Sequence, residues 1–141
     1  FYGPVARHAD CCPASDGMEA NRPRLRDLMA RGYSVCIFPE GTRSTSRKIL
    51  RFHKGAFTIA RELGADILPV FLHGTGHVSP KGDPIFRQGT ISVEVADRCR
   101  PYEEVEADSD IERDRMAAKR MRKAYVEHFA ADGDDNPIAT A

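Results

Sequence analysis

The strongest constraint in this chain is a short apolar run with an abrupt end. Tyr33-Ser34-Val35-Cys36-Ile37-Phe38 is nearly continuous in apolar residues, and Pro39-Glu40-Gly41-Thr42-Arg43-Ser44 breaks it at once. A run of that length suits a strand covered on both faces, as in a parallel sheet. A strand that stops at Pro and Gly delivers polar side chains to the carboxyl edge of such a sheet, where open α/β folds bind ligands. At that edge Gly41 lets backbone amides approach an anion closely. Arg43 offers a planar fork of donors matched to phosphate oxygens, and Thr42 and Ser44 add hydroxyls. Glu40 is costly as a lone buried charge, so it is expected to orient Arg43 or another basic group. The turn therefore reads as a phosphate or carboxylate pocket. The plainer alternative is a structural turn in which Glu40 and Arg43 simply pair.

The rest of the chain supports an alternation of helices and strands. Asp16 with Glu19 resembles a capping box, Met18, Leu25, Leu28 and Met29 recur at helical spacing, and Gly32 supplies a stop. Pro23 either falls in the first turn of a late-starting helix or kinks an earlier one. Gly55–Leu63 reads as a helix ended by Gly64, Ile67–Leu72 as a second buried strand, and Thr90–Ala96 as a half-exposed strand. Residues 74–82 form a loop rich in Gly, Pro, Ser and His. Ser109–Phe129 is a long helix with Ile111, Ala118, Met121, Tyr125 and Phe129 at helical spacing. Its basic residues Arg113, Arg115, Lys119, Arg120, Arg122 and Lys123 read as a solvated face or as a surface drawn to anionic lipid headgroups. Short links between alternating elements predict right-handed crossovers, hence an α/β fold with a mostly parallel sheet flanked by helices.

Composition narrows the function. Twenty-one Lys and Arg balance 21 Asp and Glu over 141 residues, which argues against a dedicated nucleic-acid binder. The longest apolar stretch, Ile67–Leu72, is too short to span a membrane. Cys11, Cys12, Cys36 and Cys99 show no metal-ligand spacing and read as reduced, mostly buried thiols, with no metal expected.

Phe38–Ser44 (FPEGTRS) is similar to a signature of the glycerophospholipid acyltransferase family, whose best-known members are 1-acylglycerol-3-phosphate acyltransferases. Phe52-His53-Lys54-Gly55-Ala56 resembles the Phe-x-Lys-Gly-Ala segment that follows the signature in that family, and Leu68-Pro69-Val70 its next strand. Tyr2–Arg7 looks like the upstream block that runs from a Gly to an Arg, with Pro4 a departure from it. The wording of the first residues is closest to a bacterial subgroup, some members of which are fused to large membrane exporters.

The resemblance implies acyl transfer from acyl-CoA or acyl carrier protein to a lysophospholipid or glycerol-phosphate hydroxyl, with no cofactor. It places Gly3, Arg7, Glu40, Gly41, Thr42, Arg43 and Lys54 at the acceptor phosphate, and the protein at the cytoplasmic face of a membrane. It also implies a His with an Asp five positions on, the His serving as general base. That pair is missing: the residues five after His8, His53, His73, His77 and His128 are Pro13, Thr58, Val78, Gly82 and Gly133. The expectation is therefore a partial acyltransferase domain over 1–131 with a flexible tail at 132–141. The fold would be incomplete at its N-terminus, the base would lie upstream of Phe1, and the chain would be inactive alone. A rival of another class is a non-catalytic lipid- or phosphate-binding module of the same fold, which would lack the His/Asp pair upstream as well.

Overall fold

The computed structural model describes residue 12 and residues 17–44 and 48–131. Six elements follow in order: α1 (Gly17–Ala30), α2 (Gly55–Leu63), β1 (Val70–His73), α3 (Thr75–Val78), β2 (Ser92–Val95) and α4 (Asp110–Ala131). The chain divides into two compact units, Phe1–Ile37 and Phe38–Ala141. The expected flexible tail, Asp16, Gly3 and Arg7 lie outside the described residues.

In the first unit, α1 buries Leu25 and Leu28, one turn apart on a single face. Pro23 sits inside the helix, at its seventh residue rather than in its first turn. Its ring nitrogen therefore withholds a bond from the Glu19 carbonyl. The end of α1 is closed as the sequence predicts. Gly32 adopts φ 87°, and the Tyr33 N–H donates to the Leu28 carbonyl at 3.0 Å, the longer of the two bonds of a Schellman cap.

The second unit is built on α2 and α4. Phe52, Phe57, Ala60, Tyr102, Ala117, Ala118 and Met121 form its core. Gly64 at φ 62° ends α2, and the Ala65 N–H caps the Ala60 carbonyl at 2.8 Å. On α4 the inward stripe differs from the sequence expectation. Ile111 is exposed, and Asp114 takes an inward position and is 1% exposed. The buried carboxylate is fully occupied. It accepts from Arg61 Nε at 2.8 Å and Nη2 at 3.1 Å, and from the Thr58 hydroxyl at 2.8 Å. Arg61 reaches Asp110 as well, at 3.0 Å. This ionic knot joins α2 to α4 through groups 53 and 56 residues apart.

The sheet differs from the parallel one expected. Among the described residues the only ladder is the antiparallel pair β1–β2, with Val70 opposite Val95 and Leu72 opposite Val93. The physical reason is the connection. Residues 74–91 hold one helical turn, α3, and no crossover helix of the kind a parallel pair requires. An Ile67–Cys99 bridge extends the same antiparallel pairing. Tyr33–Phe38, expected as a buried strand, has no regular secondary structure and every side chain is exposed, Phe38 at 70%. A strand is held only by paired neighbours, and this run has no ladder partner among the described residues. β2 was expected to be half-exposed, and all four of its residues are exposed. Cys36 is exposed as well, against the expectation of mostly buried thiols. No described helix is long and apolar enough to cross a membrane.

Candidate functional site

Pro39–Ser44 forms a tight turn braced from both sides. The Gly41 N–H donates to the Phe38 carbonyl at 3.1 Å, and the His53 N–H donates to the Pro39 carbonyl at 2.8 Å. Gly41 has φ 67°, a left-handed conformation that a side chain would strain. A Cβ there would also stand 3.4 Å from the His53 ring. That contact is ordinary packing, so it is the positive φ that calls for glycine here.

Among the described residues Glu40 makes no ion pair with Arg43, which removes the plain reading of the turn. The Glu40 carboxylate instead accepts the Leu50 N–H at 2.7 Å. The Leu50 and Ile49 carbonyls accept from Arg122 of α4, at 2.8 and 2.9 Å. Residues 49–50 are thus held between the signature turn and the last helix. Glu40 is a positioning group here: it fixes the strap that leads into Phe52, His53 and Lys54.

Arg43 is exposed and donates from Nη1 to the Ser79 hydroxyl at 3.2 Å. Thr42 Oγ1 accepts from Lys81 Nζ at 3.0 Å. The turn therefore carries two cations, Arg43 and Lys81, with the hydroxyls of Thr42 and Ser79 between them in the bonding pattern. Such a set of donors, solvent-accessible and free of a neutralising carboxylate among these contacts, can bind a phosphate. Ser79 and Lys81 were not singled out from sequence. Ser79 and Lys81 come from a loop 36 and 39 residues away, and no local pattern announces that closure.

Lys54 is placed differently. It stands immediately before α2, its carbonyl accepts the Phe57 and Thr58 N–H groups, and its side chain lines a cleft with residues of α4. The structure thus unites Glu40, Gly41, Thr42 and Arg43 in one turn and sets Lys54 into a second basic environment. Gly3 and Arg7 lie outside the described residues.

A second cluster forms where β1 and β2 meet α4. His128 Nε2 lies 3.2 Å from Glu94 Oε2, and His73 Nε2 lies 3.8 Å from the same oxygen. His73 is buried, and Phe71 stacks on His128 with ring centres 3.9 Å apart. The donor atoms of the three polar residues fall within 4.8 Å of one another. The fold makes His73 the end of a strand and brings His128 to Glu94.

Comparison with known proteins agrees with the motif. The family described as Acyltransferase matches residues 1–73. A 1-acyl-sn-glycerol-3-phosphate acyltransferase of Chlamydomonas reinhardtii is 37% identical over 96 residues, 67% of this chain and 29% of that protein. The chloroplastic enzyme LPAT1 of Arabidopsis thaliana is 42% identical over 71 residues, 50% of this chain and 20% of that protein. A human 1-acyl-sn-glycerol-3-phosphate acyltransferase beta is 32% identical over 68 residues, 48% of this chain and 24% of that protein. The chain thus spans less than a third of the length of these relatives. No solved structure gives a significant match.

Proposed function

We propose, from the fact that this chain belongs to the acyltransferase family, that it carries the acceptor-binding part of an acyltransferase of phospholipid synthesis. The reaction is transfer of an acyl group from a thioester, acyl-CoA or acyl carrier protein, to the hydroxyl of lysophosphatidate or a related acceptor. No cofactor enters it. The observation that carries the reading is the turn at 38–44: its Glu is spent on holding Leu50, which leaves the exposed Arg43 without a carboxylate partner among the described residues.

In this reading Arg43 holds the acceptor phosphate and Lys81 supports it through Thr42. Gly41 keeps the turn tight enough for backbone amides to approach the anion. Arg7 and Gly3 complete the acceptor site. The general base is a His/Asp pair that these 141 residues do not hold, so the chain alone turns over no substrate. The protein works at the cytoplasmic face of a membrane, where its lipid acceptor resides. Tyr33–Phe38 then serves as a strand of a mostly parallel sheet in the whole domain, which its exposed apolar side chains support.

The test is steady-state kinetics of the full-length enzyme carrying Arg43→Ala. Loss of one charge-assisted contact of about 1.5–3 kcal/mol should raise the acceptor KM roughly ten- to a hundredfold. The donor KM should stay near its original value. An unchanged acceptor dependence would remove Arg43 from the phosphate site.

A further inference from the structure

Six basic residues mark α4 in sequence, and the structure divides them by what they meet. Arg113 pairs with Asp110 at 2.9 Å, Arg120 with Glu104 at 2.7 Å and Lys123 with Glu127 at 3.6 Å. These three are neutralised locally. Arg115, Lys119 and Arg122 instead line a cleft of about 310 Å³ with Arg51 and Lys54 from the strap before α2. Phe52 and Ala118, both buried, line the same cleft as its apolar floor.

No acidic residue lines the cleft. Among the described residues, Arg51, Lys54, Arg115 and Lys119 form no ion pair. Arg122 spends donors on two backbone carbonyls, which fix its guanidinium and leave its charge in place. Five like charges around one small space repel one another, and in a chain of zero net charge their concentration is not a by-product of composition. The same cleft adjoins the start of α2, which has no side-chain cap at Lys54. A nine-residue helix presents partial positive charge there. Every local contribution favours an anion with more than one charge.

We propose that the cleft between the 51–54 strap and α4 is a binding site for a polyanionic phosphate group. It is distinct from the turn at Arg43. The ligand chemistry is two or more phosphate charges presented together. A soluble diphosphate-bearing molecule supplies that chemistry, and so does a cluster of anionic lipid headgroups. Arg122 forms the fixed part of the site, and Lys54 with Arg115 and Lys119, the last two exposed and one turn apart on α4, close over the ligand. This inference does not depend on the acyltransferase reading, because it concerns binding alone.

The experiment measures binding of inorganic pyrophosphate to the chain at low ionic strength by calorimetry. Flotation with phosphatidylcholine vesicles containing phosphatidic acid runs in parallel. Three variants are compared: Arg115→Gln/Lys119→Gln in the cleft, Arg120→Gln/Lys123→Gln on the same helix outside it, and Arg43→Ala in the turn. The cleft variant should weaken binding about tenfold or more, while the other helix variant, equal in charge loss, changes it less than about threefold. Added salt should weaken binding to the unaltered chain. Vesicle binding that pyrophosphate displaces identifies lipid headgroups as the source; pyrophosphate binding without vesicle binding identifies a soluble ligand. Both outcomes support the cleft. Equal losses in the two helix variants, loss only in Arg43→Ala, or no binding of either probe would overturn it. Loss confined to Arg43→Ala would still leave the acceptor site standing. Circular dichroism of the variants separates lost binding from lost helix, and both cleft positions are exposed enough to be changed without touching the core.

Discussion

The α2–α4 interface and the outer face of the β1–β2 ribbon are both rich in apolar residues, and they meet opposite fates. Between the helices Phe57, Ala60, Ala117 and Met121 are buried, and even a carboxylate, Asp114, is enclosed with three donors around it. On the ribbon, cross-strand neighbours Val70 and Val95, and Leu72 and Val93, share one face and all four are exposed. Its other face carries Phe71 and His73 against Tyr125, His128 and Phe129 of α4. The difference teaches that side-chain hydrophobicity creates a demand for cover without saying which segment meets it. For the helices both partners lie within these residues. For the ribbon only one face is met among the described residues, and there Glu94 and two histidines share the covered side with the aromatic rings.

That contrast can be broken at its strongest point first. Asp114→Ala leaves Arg61 without its main partner inside the interface, and should lower stability by about 3–5 kcal/mol in a urea titration. A loss below about 1 kcal/mol would mean that the knot is hydrated and that apolar packing alone joins the helices.

Phe71→Ala should cost a similar or smaller amount, roughly 3–4 kcal/mol, because it opens a cavity on the covered side of the ribbon. Were it as mild as a surface change, the two faces of β1 would not differ in the way described.

Thiol chemistry sharpens the comparison without altering the fold. Burial pushes the Cys99 thiol above its ordinary pKa, and the charges of Glu104 and Asp66 push it the same way. Its thiolate is therefore scarce at pH 8, and as pH rises through the raised value the folded state loses the preference for the neutral thiol. In a Cys11→Ser/Cys12→Ser background, an aromatic disulfide reagent at pH 8 should consume exposed Cys36 faster than Cys99, the gap narrowing as pH rises. Equal rates at pH 8 would show the Ile67–Cys99 bridge to be open.

The smallest effect belongs to the outer face. Val93→Thr should change stability by no more than about 0.5 kcal/mol, the range of an exposed substitution. A loss of 1 kcal/mol or more would reveal cover on that face in solution.

Much of the candidate site is legible in the residues themselves. The turn at 39–44, its need for Gly41 and the helices ended by Gly32 and Gly64 follow from rules acting over a few residues. Family membership rests on the same local words: Phe38–Ser44, Phe52–Ala56 and Leu68–Val70 all fall within the matched span, 1–73. The role of Glu40 was not legible, because its partner is a backbone N–H ten residues on rather than the arginine beside it. Nor was the split of the basic residues of α4 into paired and unpaired sets: Arg113 and Lys123 find acids on their own helix, whereas Arg120 finds Glu104 sixteen residues before it.

By itself the sequence determined where α1 and α2 end, the signature turn and the family, since backbone conformation and motif spacing are properties of neighbouring residues. Only the tertiary structure decided that β1 and β2 run antiparallel, that Asp114 is buried with Arg61, that Arg122 clamps residues 49–50, and that five cations share one cleft. Each of those depends on which segments come together across tens of residues, and the free energy of such pairings comes from burial and charge in three dimensions. No local pattern along the chain records it.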